Sequence, residues 1–408
     1  MSATTATLRI DGFAHGGRGV ARLDGKAVFV AGALPGELVE ATITQDRRRF
    51  AEAEVLRVLE PAGGRVEPPC PYVPDCGGCD LQHATPGLQR DLKRRVVTEQ
   101  LERLGGQVDP PVAACLPVGP DLGYRANVQL HPDRDGRLGF HRARSHDVVP
   151  IERCLVAADA VNDVLAALPG AGGAEGLAIR AARDGVALVI LPGPGSLEVP
   201  DVPAAVHLSQ PDGSTVALRG ADVVHETIRG VDYAFGAGDF FQVNPSGATA
   251  IVRTVMEAVG DVAGQLAWDL YAGVGLLSIP LAKAGAEVVA VEASRSAARH
   301  AAANGRDAEI DLVVEATPVL EYVRREAHTA DPPDLVVLDP PRDGAGSEVC
   351  RALVDLGVPL VVYVACDPAN LARDVRTLST GGYRLAGAQP LDLFPMTHHV
   401  EVVATLVR

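Results

Sequence analysis

The strongest constraint on the fold lies at residues 358–368, where Val-Pro-Leu-Val-Val-Tyr-Val-Ala runs apolar and stops at Cys366-Asp367-Pro368. A run of that length without apolar–polar alternation marks a strand covered on both faces, as in a parallel sheet. Pro368 cannot donate to a ladder, and the Ala, Leu and Arg residues after it favour helix. Cys366 is therefore expected at the carboxyl end of a strand, facing a helix amino terminus. Open α/β sheets bind ligands along that edge. Unpaired amides and the helix dipole there favour a thiolate. A small buried hydrophobe is the alternative use of a lone strand-end cysteine, and other motifs must decide between the two.

The same grammar recurs upstream. Residues 266–270 run into Asp269-Leu270-Tyr271-Ala272-Gly273-Val274-Gly275, followed by a helix at 276–284 and a strand at 287–291 capped by Glu292. Gly273 and Gly275 let the backbone approach a ligand, and an acid ending the next strand can accept both ribose hydroxyls. Ser278 stands where a third glycine would complete the dinucleotide fingerprint. A further apolar strand, 334–338, ends in Asp339-Pro340-Pro341-Arg342, a rigid loop that aims a carboxylate into the crevice. Before these motifs, Phe240-Phe241-Gln242-Val243-Asn244-Pro245 precedes a helix. After them, Phe394-Pro395-Met396-Thr397-His398-His399-Val400-Glu401 leads into a closing strand at 402–407, expected antiparallel, with Glu401 partly buried at its start. A doubly wound α/β domain is predicted over residues 236–408.

Two further regions precede it. Residues 7–60 read as five short strands between glycine turns, which predicts a small β-barrel over residues 1–62. Residues 63–235 read as a central α+β domain. It carries Cys70, Cys76 and Cys79 in a Cys-x5-Cys-x2-Cys array whose Gly77-Gly78 pair lets the backbone wrap around one centre. Cys154 is a better fourth ligand than Cys115. All-cysteine coordination fits structural zinc or an iron–sulfur cluster, and spacing alone leans towards zinc. A helix is expected over 84–104, hairpins over 124–156, and scaffold over 157–235.

Composition sets the compartment and the partner. The amino terminus lacks a signal-peptide layout and no apolar run is long enough for a membrane span, so a cytoplasmic protein with no membrane partner is expected. Seven cysteines in a reducing compartment point to ligation or catalysis rather than disulfides. A net charge of −15 argues at first against a polyanionic partner. The charge is uneven, however: residues 1–160 carry 20 Lys and Arg against 21 Asp and Glu, whereas 161–408 carry 17 against 31. Any nucleic-acid surface then belongs to the first part. Candidates there are Arg47 to Arg49, the group Arg90, Lys93, Arg94 and Arg95, and the stretch holding Arg125, Arg134, Arg137, Arg142 and Arg144.

Residues 1–62 resemble the TRAM domain, an RNA-binding barrel, through G-x-G-V-A-R, D-G-x-x-V-F-V and A-L-P-G-E. The whole chain resembles the bacterial RNA uracil-5 methyltransferases that depend on S-adenosylmethionine. The motifs are C-x5-C-G-G-C-x-x-Q-H, F-F-Q-V-N, D-L-Y-x-G-x-G, V-x-A-V-E, D-P-P-R, Y-V-A-C-D-P and F-P-x-T-x-H-V-E, in that order. The resemblance implies a Rossmann-like methyltransferase domain, with Cys366 as nucleophile and Glu401 as base. Gln242, Tyr271, Gly273, Gly275, Glu292 and Asp339 would contact S-adenosylmethionine. It reverses the preference for zinc: Cys70, Cys76, Cys79 and Cys154 would hold a four-iron four-sulfur (4Fe-4S) cluster. The implied partner is ribosomal or transfer RNA, not DNA, and a monomer is expected. An RNA-binding or assembly factor without catalysis is the runner-up, opposed by the intact Cys366 and Glu401. The family usually has Asn after the nucleophile. Asp367 here would raise the thiol pKa unless it caps the following helix, which is the expectation. Leu276 replaces a frequent Asn after the glycine turn.

Overall fold

The structure, a computed structural model, describes residues 4–193, 198–211, 214–327 and 332–408. Period-two alternation shapes its first unit. Strands β1 (Thr5–Ala14), β2 (Arg18–Leu23), β3 (Lys26–Ala31), β4 (Leu38–Asp46) and β5 (Phe50–Glu60) close a barrel in the order β1-β2-β3-β5-β4. Leu8 and Ile10, Val28 and Val30, and Val39 and Ala41 sit two apart on their strands and fill the interior. The barrel expected from the glycine turns is present.

Helix α1 (Pro86–Arg103) and the short strand β6 (Leu116–Pro117) follow in the chain. They do not join the central sheet. Val97 and Leu101 of α1 bury themselves in the core of the C-terminal domain, and β6 pairs with that domain's edge. The sequence pattern assigns this stretch to the central domain; its apolar partners lie elsewhere, and packing follows the partners.

The central sheet is built from β7 (Asn127–Pro132), β8 (Leu138–His141), β9 (Val148–Pro150), β10 (Ala174–Ala182), β11 (Gly185–Pro192), β12 (Ala205–Ser209) and β13 (Thr215–Arg219). Its order is β13-β12-β11-β10-β7-β8-β9. Helix α2 (Asp159–Ala167) covers one face with Val161, Val164 and Leu165. A hairpin, β14 (Val223–Ile228) and β15 (Val231–Gly236), leads out of it.

The remaining elements alternate: α3 (Pro245–Val259), β16 (Leu266–Leu270), α4 (Ser278–Lys283), β17 (Glu287–Val291), α5 (Arg295–Asp307), β18 (Val313–Glu315), α6 (Val319–Glu326), β19 (Leu335–Leu338), α7 (Gly346–Leu356), β20 (Leu360–Ala365), α8 (Pro368–Thr380), β21 (Arg384–Asp392) and β22 (Glu401–Val407). The sheet order is β18-β17-β16-β19-β20-β22-β21-β6. Val337, Val362 and Val364 face one core, and Val336, Leu338, Val361 and Tyr363 face the other. Burial on both faces explains the unbroken apolar runs. Strand order reverses between β16 and β19, which opens a crevice at the carboxyl ends of these parallel strands. No helix among the described residues is long and apolar enough to cross a membrane.

Candidate active site and cysteine cavity

Sheet register brings the reactive groups together. Strands β20 and β22 are antiparallel with Ala365 opposite Val402, so one further step along each chain sets Cys366 beside Glu401. On its other side Glu401 pairs with Leu391 of β21. Its side chain is 3% exposed and its Oε1 has no hydrogen-bond partner. Burial, and then the negative charge of Asp339, push its pKa well above the ordinary range, with Arg342 pulling the other way. A buried carboxyl held in its protonated form more readily than a surface one is suited to proton transfer.

Cys366 is half-buried. Its thiol is pushed up to about 11, first by burial and then by Glu401, while Arg342 lowers it and Asp339 and Asp367 raise it. The expectation that helix amides alone would favour the thiolate is thus overturned. Burial first, and the neighbouring acids after it, hold the thiol up. Asp367 is the expected N-cap of α8, its Oδ1 accepting from the amides of Ala369 at 3.0 Å and Asn370 at 2.9 Å, but capping does not remove its effect, since it still raises the thiol.

Arg342 is the cation of this site that sequence reasoning missed. Its signal was present, since it follows Asp339-Pro340-Pro341 directly. Its carbonyl accepts from Asn370 Nδ2 at 2.8 Å, which ties the loop to α8.

The glycine turn follows β16. Tyr271 (φ 65°), Gly273 (φ 56°) and Gly275 (φ 92°) are all left-handed, and a non-glycine residue held there marks a constrained loop. Glu292, at the end of β17, accepts from the Gly273 amide at 2.9 Å and the Ser294 amide at 2.7 Å. Its remaining lone pairs are left for hydroxyl donors. Asp339 follows β19 and receives Gln242 Nε2 at 3.4 Å, so two predicted cofactor residues from distant motifs meet. The Tyr271 phenol packs instead near Cys350 and Asp374, and burial raises its pKa to about 12. Leu276 is buried, its carbonyl accepting from Tyr233 Oη at 3.2 Å.

Asp269, buried at the end of β16, was not singled out from sequence. One oxygen accepts from the Ser278 hydroxyl and the other has no partner. Burial raises both Asp269 and Asp339 to about 7. An edge lined with acids and short of cations suits a positively charged ligand.

Cys70, Cys76, Cys79 and Cys154 line one cavity of about 170 Å³ between the loop after the barrel and the segment after β9. Tyr72, Phe140, Ile151 and Val156 supply much of the rest of its wall. The thiols are free, and the Gly78 amide points at Cys76 Sγ at 3.4 Å. Cys115 is excluded from this cavity: it is buried in the C-terminal core, with Asp392 and Lys93 as its charged neighbours. Among the described residues, no group of three or more His, Cys, Asp or Glu side chains is gathered closely enough to hold a metal ion. The expected metal centre is therefore reduced to a shared cavity of four thiols.

This fold and site define an α/β enzyme that holds a nucleotide-type ligand at a sheet edge, beside a strand-end cysteine and a buried carboxyl. Residues 2–56 match the TRAM domain family and residues 220–408 match the tRNA (uracil-5-)-methyltransferase family. An RNA methyltransferase of Streptomyces avermitilis is 39% identical over 96% of each chain. The 23S rRNA (uracil(1939)-C(5))-methyltransferase RlmD of Halomonas elongata is 36% identical over 98% of this chain and 89% of its own. The crystal structure of Pyrococcus abyssi tRNA (uracil-54, C5)-methyltransferase, in complex with S-adenosyl-L-homocysteine, superposes with a TM-score of 0.77. It is 26% identical, covering 98% of this chain and 100% of that one. The chain belongs to the S-adenosylmethionine-dependent RNA uracil-5 methyltransferases, and it carries an N-terminal TRAM domain.

Proposed function

We propose that the protein methylates carbon 5 of a uridine in structured ribosomal or transfer RNA through a covalent adduct, with Cys366 as nucleophile and Glu401 as base. The observation that carries this reading is the β20–β22 register, which sets the thiol beside an unpartnered buried carboxyl. Carbon 5 of uracil is too weak a nucleophile to take a methyl group directly. The Cys366 thiolate adds to carbon 6, and the electron pair of the 5,6 double bond moves onto carbon 5 and the carbon 4 carbonyl as an enolate. S-adenosylmethionine supplies a methyl group on a sulfonium, and the C–S bond to it breaks as carbon 5 bonds the methyl. Glu401 then takes the carbon 5 proton, the double bond re-forms, and the thiolate leaves. Arg342 favours the thiolate during attack and departure. A stacked base hides its ring faces, so the uridine reaches Cys366 only when unstacked or flipped.

For the cofactor, Glu292 would offer lone pairs to ribose hydroxyls, Gly273 and Gly275 leave the backbone open to it, and Gln242 and Asp339 would contact it. Tyr271 contributes through its strained backbone. For the cysteine cavity, a donor set of four thiols fits a soft iron–sulfur centre. Cys70, Cys76, Cys79 and Cys154 would hold a 4Fe-4S cluster, which would cross-link the loop after the barrel to the central sheet.

RNA containing 5-fluorouridine tests the mechanism, because fluorine at carbon 5 cannot be removed as a proton. Enzyme, cofactor and this RNA should give a denaturant-stable adduct that Cys366→Ala abolishes. Equal adduct in both proteins would sink the nucleophile assignment. Anaerobically prepared protein should be brown, with iron and sulfide that Cys154→Ala loses and Cys115→Ala retains. A colourless, zinc-loaded protein would overturn the cluster. Mapping 5-methyluridine in rRNA and tRNA with and without the gene identifies the substrate.

A further inference from the structure

The turn between β1 and β2 reaches from the barrel to the loop that carries Cys366. His15 Nε2 lies 3.2 Å from Asp367 Oδ2, with the side chains 34% and 27% exposed. The other Asp367 oxygen is already engaged by the α8 amides. Two residues on, Gly17 (φ 78°) presses against the neighbouring loop: a Cβ there would stand 2.6 Å from Asp80 Oδ2 and 3.0 Å from His398 Cβ. Asp80 accepts the His398 amide at 2.8 Å and pairs with its Nδ1. The turn is thereby fixed against both loops that frame the sheet edge, and the glycine is what allows the approach.

We propose that His15 is a positioning residue for Cys366: docked on the catalytic domain, it holds Asp367 in place and, when protonated, offsets the carboxylate charge beside the thiol. The reactivity of the nucleophile then depends on the seating of an RNA-binding barrel. This rests on the assignment of Cys366 as nucleophile. It also gives a physical reason why an acid is tolerated at position 367, where charge beside a thiolate is otherwise unfavourable.

The charged groups around both residues fix the sign. Cys366 faces Glu401 from β22, Asp339 and Arg342 from the loop after β19, and Asp367 on its own loop. His15 faces Asp367, the His398 ring at 6.4 Å between centroids, and Asp80 beyond Gly17. Burial by itself would raise the Asp367 carboxyl, but the hydrogen bonds from His15 and the helix amides hold it below the ordinary range. It is therefore ionised wherever the enzyme works. A positive charge on His15 compensates that charge and makes the Cys366 thiolate fraction larger than it would be at the same pH without it; a neutral ring does not.

Iodoacetamide alkylation of Cys366 in the full-length protein without RNA tests this, read by mass spectrometry of the Cys366 peptide. Wild-type protein should alkylate ~3- to 10-fold faster than His15→Ala at about pH 6, and the two should converge by about pH 9. His15→Gln keeps a donor but never carries charge, so it should follow the alanine variant. Asp367→Asn should react faster than wild type at the lower pH, and adding His15→Ala to it should change nothing. Coincident wild-type and His15→Ala profiles, a His15→Gln profile that tracks wild type, or an Asp367→Asn protein still sensitive to position 15 would each overturn the proposal. Methyl transfer by Cys366→Ala is a separate readout. If it persists, the nucleophile assignment fails while the alkylation profiles still report on the His15–Asp367 link.

Discussion

At the scale of single residues, the site is defined by carboxyl groups that resist ionisation. Asp269 and Asp339 titrate at about 7 because burial disfavours their charge, against about 3.9 in an unfolded chain. The folded protein therefore binds more protons than the unfolded one between those values. The stability these groups contribute is fully present below about pH 4 and is lost as pH rises through about 7. Denaturation midpoints of the ligand-free enzyme should fall across that window, and Asp339→Asn should flatten the fall. Binding of cationic S-adenosylmethionine has the opposite trend, because ionised carboxylates attract it. Its affinity should rise by up to about tenfold per pH unit and per proton released as pH approaches 7, measured by calorimetry in buffers of different ionisation enthalpy. A pH-independent affinity would show that neither acid faces the cofactor.

At the scale of elements, the loop that leads into β22 is held by a helix far away in sequence. Lys93 of α1 is fully buried and pairs with Asp392 at the end of β21 at 2.5 Å, while donating to the Phe394 carbonyl at 2.9 Å. Gln89, one turn earlier, accepts the Met396 amide at 2.8 Å and donates to the carbonyls of Leu81 and Ala84. The loop before Glu401 thus rests on α1. Lys93→Met removes the close counter-charge of buried Asp392, leaving Arg90 at 3.9 Å, and should cost ~3 kcal/mol by denaturant unfolding. Lys93→Met with Asp392→Leu should recover most of that stability. Helix α8 shows the same dependence on one side chain at smaller scale: Asp367→Ala removes its N-cap and should cost about 1 kcal/mol.

At the scale of the whole molecule, three units converge on one edge. The barrel supplies His15 and Gly17, the loop after it supplies Asp80 and three of the cavity thiols, and the C-terminal sheet supplies the chemistry. Arg47, Arg48 and Arg49 are exposed on the β4–β5 turn of the barrel. Replacing them by Gln should weaken RNA binding across sequences. The log–log dependence of affinity on salt should become shallower by about 0.7 to 0.9 for each RNA phosphate that these arginines neutralise. Titrations of RNA at several salt concentrations check this, and an unchanged slope would place the RNA on another face.

The sequence by itself determined the periodicities, and through them the elements. Unbroken apolar runs ending in Asp339 and Cys366 specified parallel strands, because strands buried on both faces have no polar side to show. Glycine turns specified the barrel, and the ordered motifs specified the family. Only the tertiary structure decided what those motifs do to one another. That Cys115 belongs to a core and Cys154 to the cavity depends on packing between distant segments. That α1 serves the C-terminal sheet depends on where Val97 and Leu101 find apolar neighbours. The Cys366 thiol is raised, not lowered, first because folding buries it and then because Glu401 and Asp339 reach it from distant stretches of chain, and electrostatic energy depends on distance in space. Spacing along a sequence does not encode that distance until the sheet register and the docking of the barrel fix it.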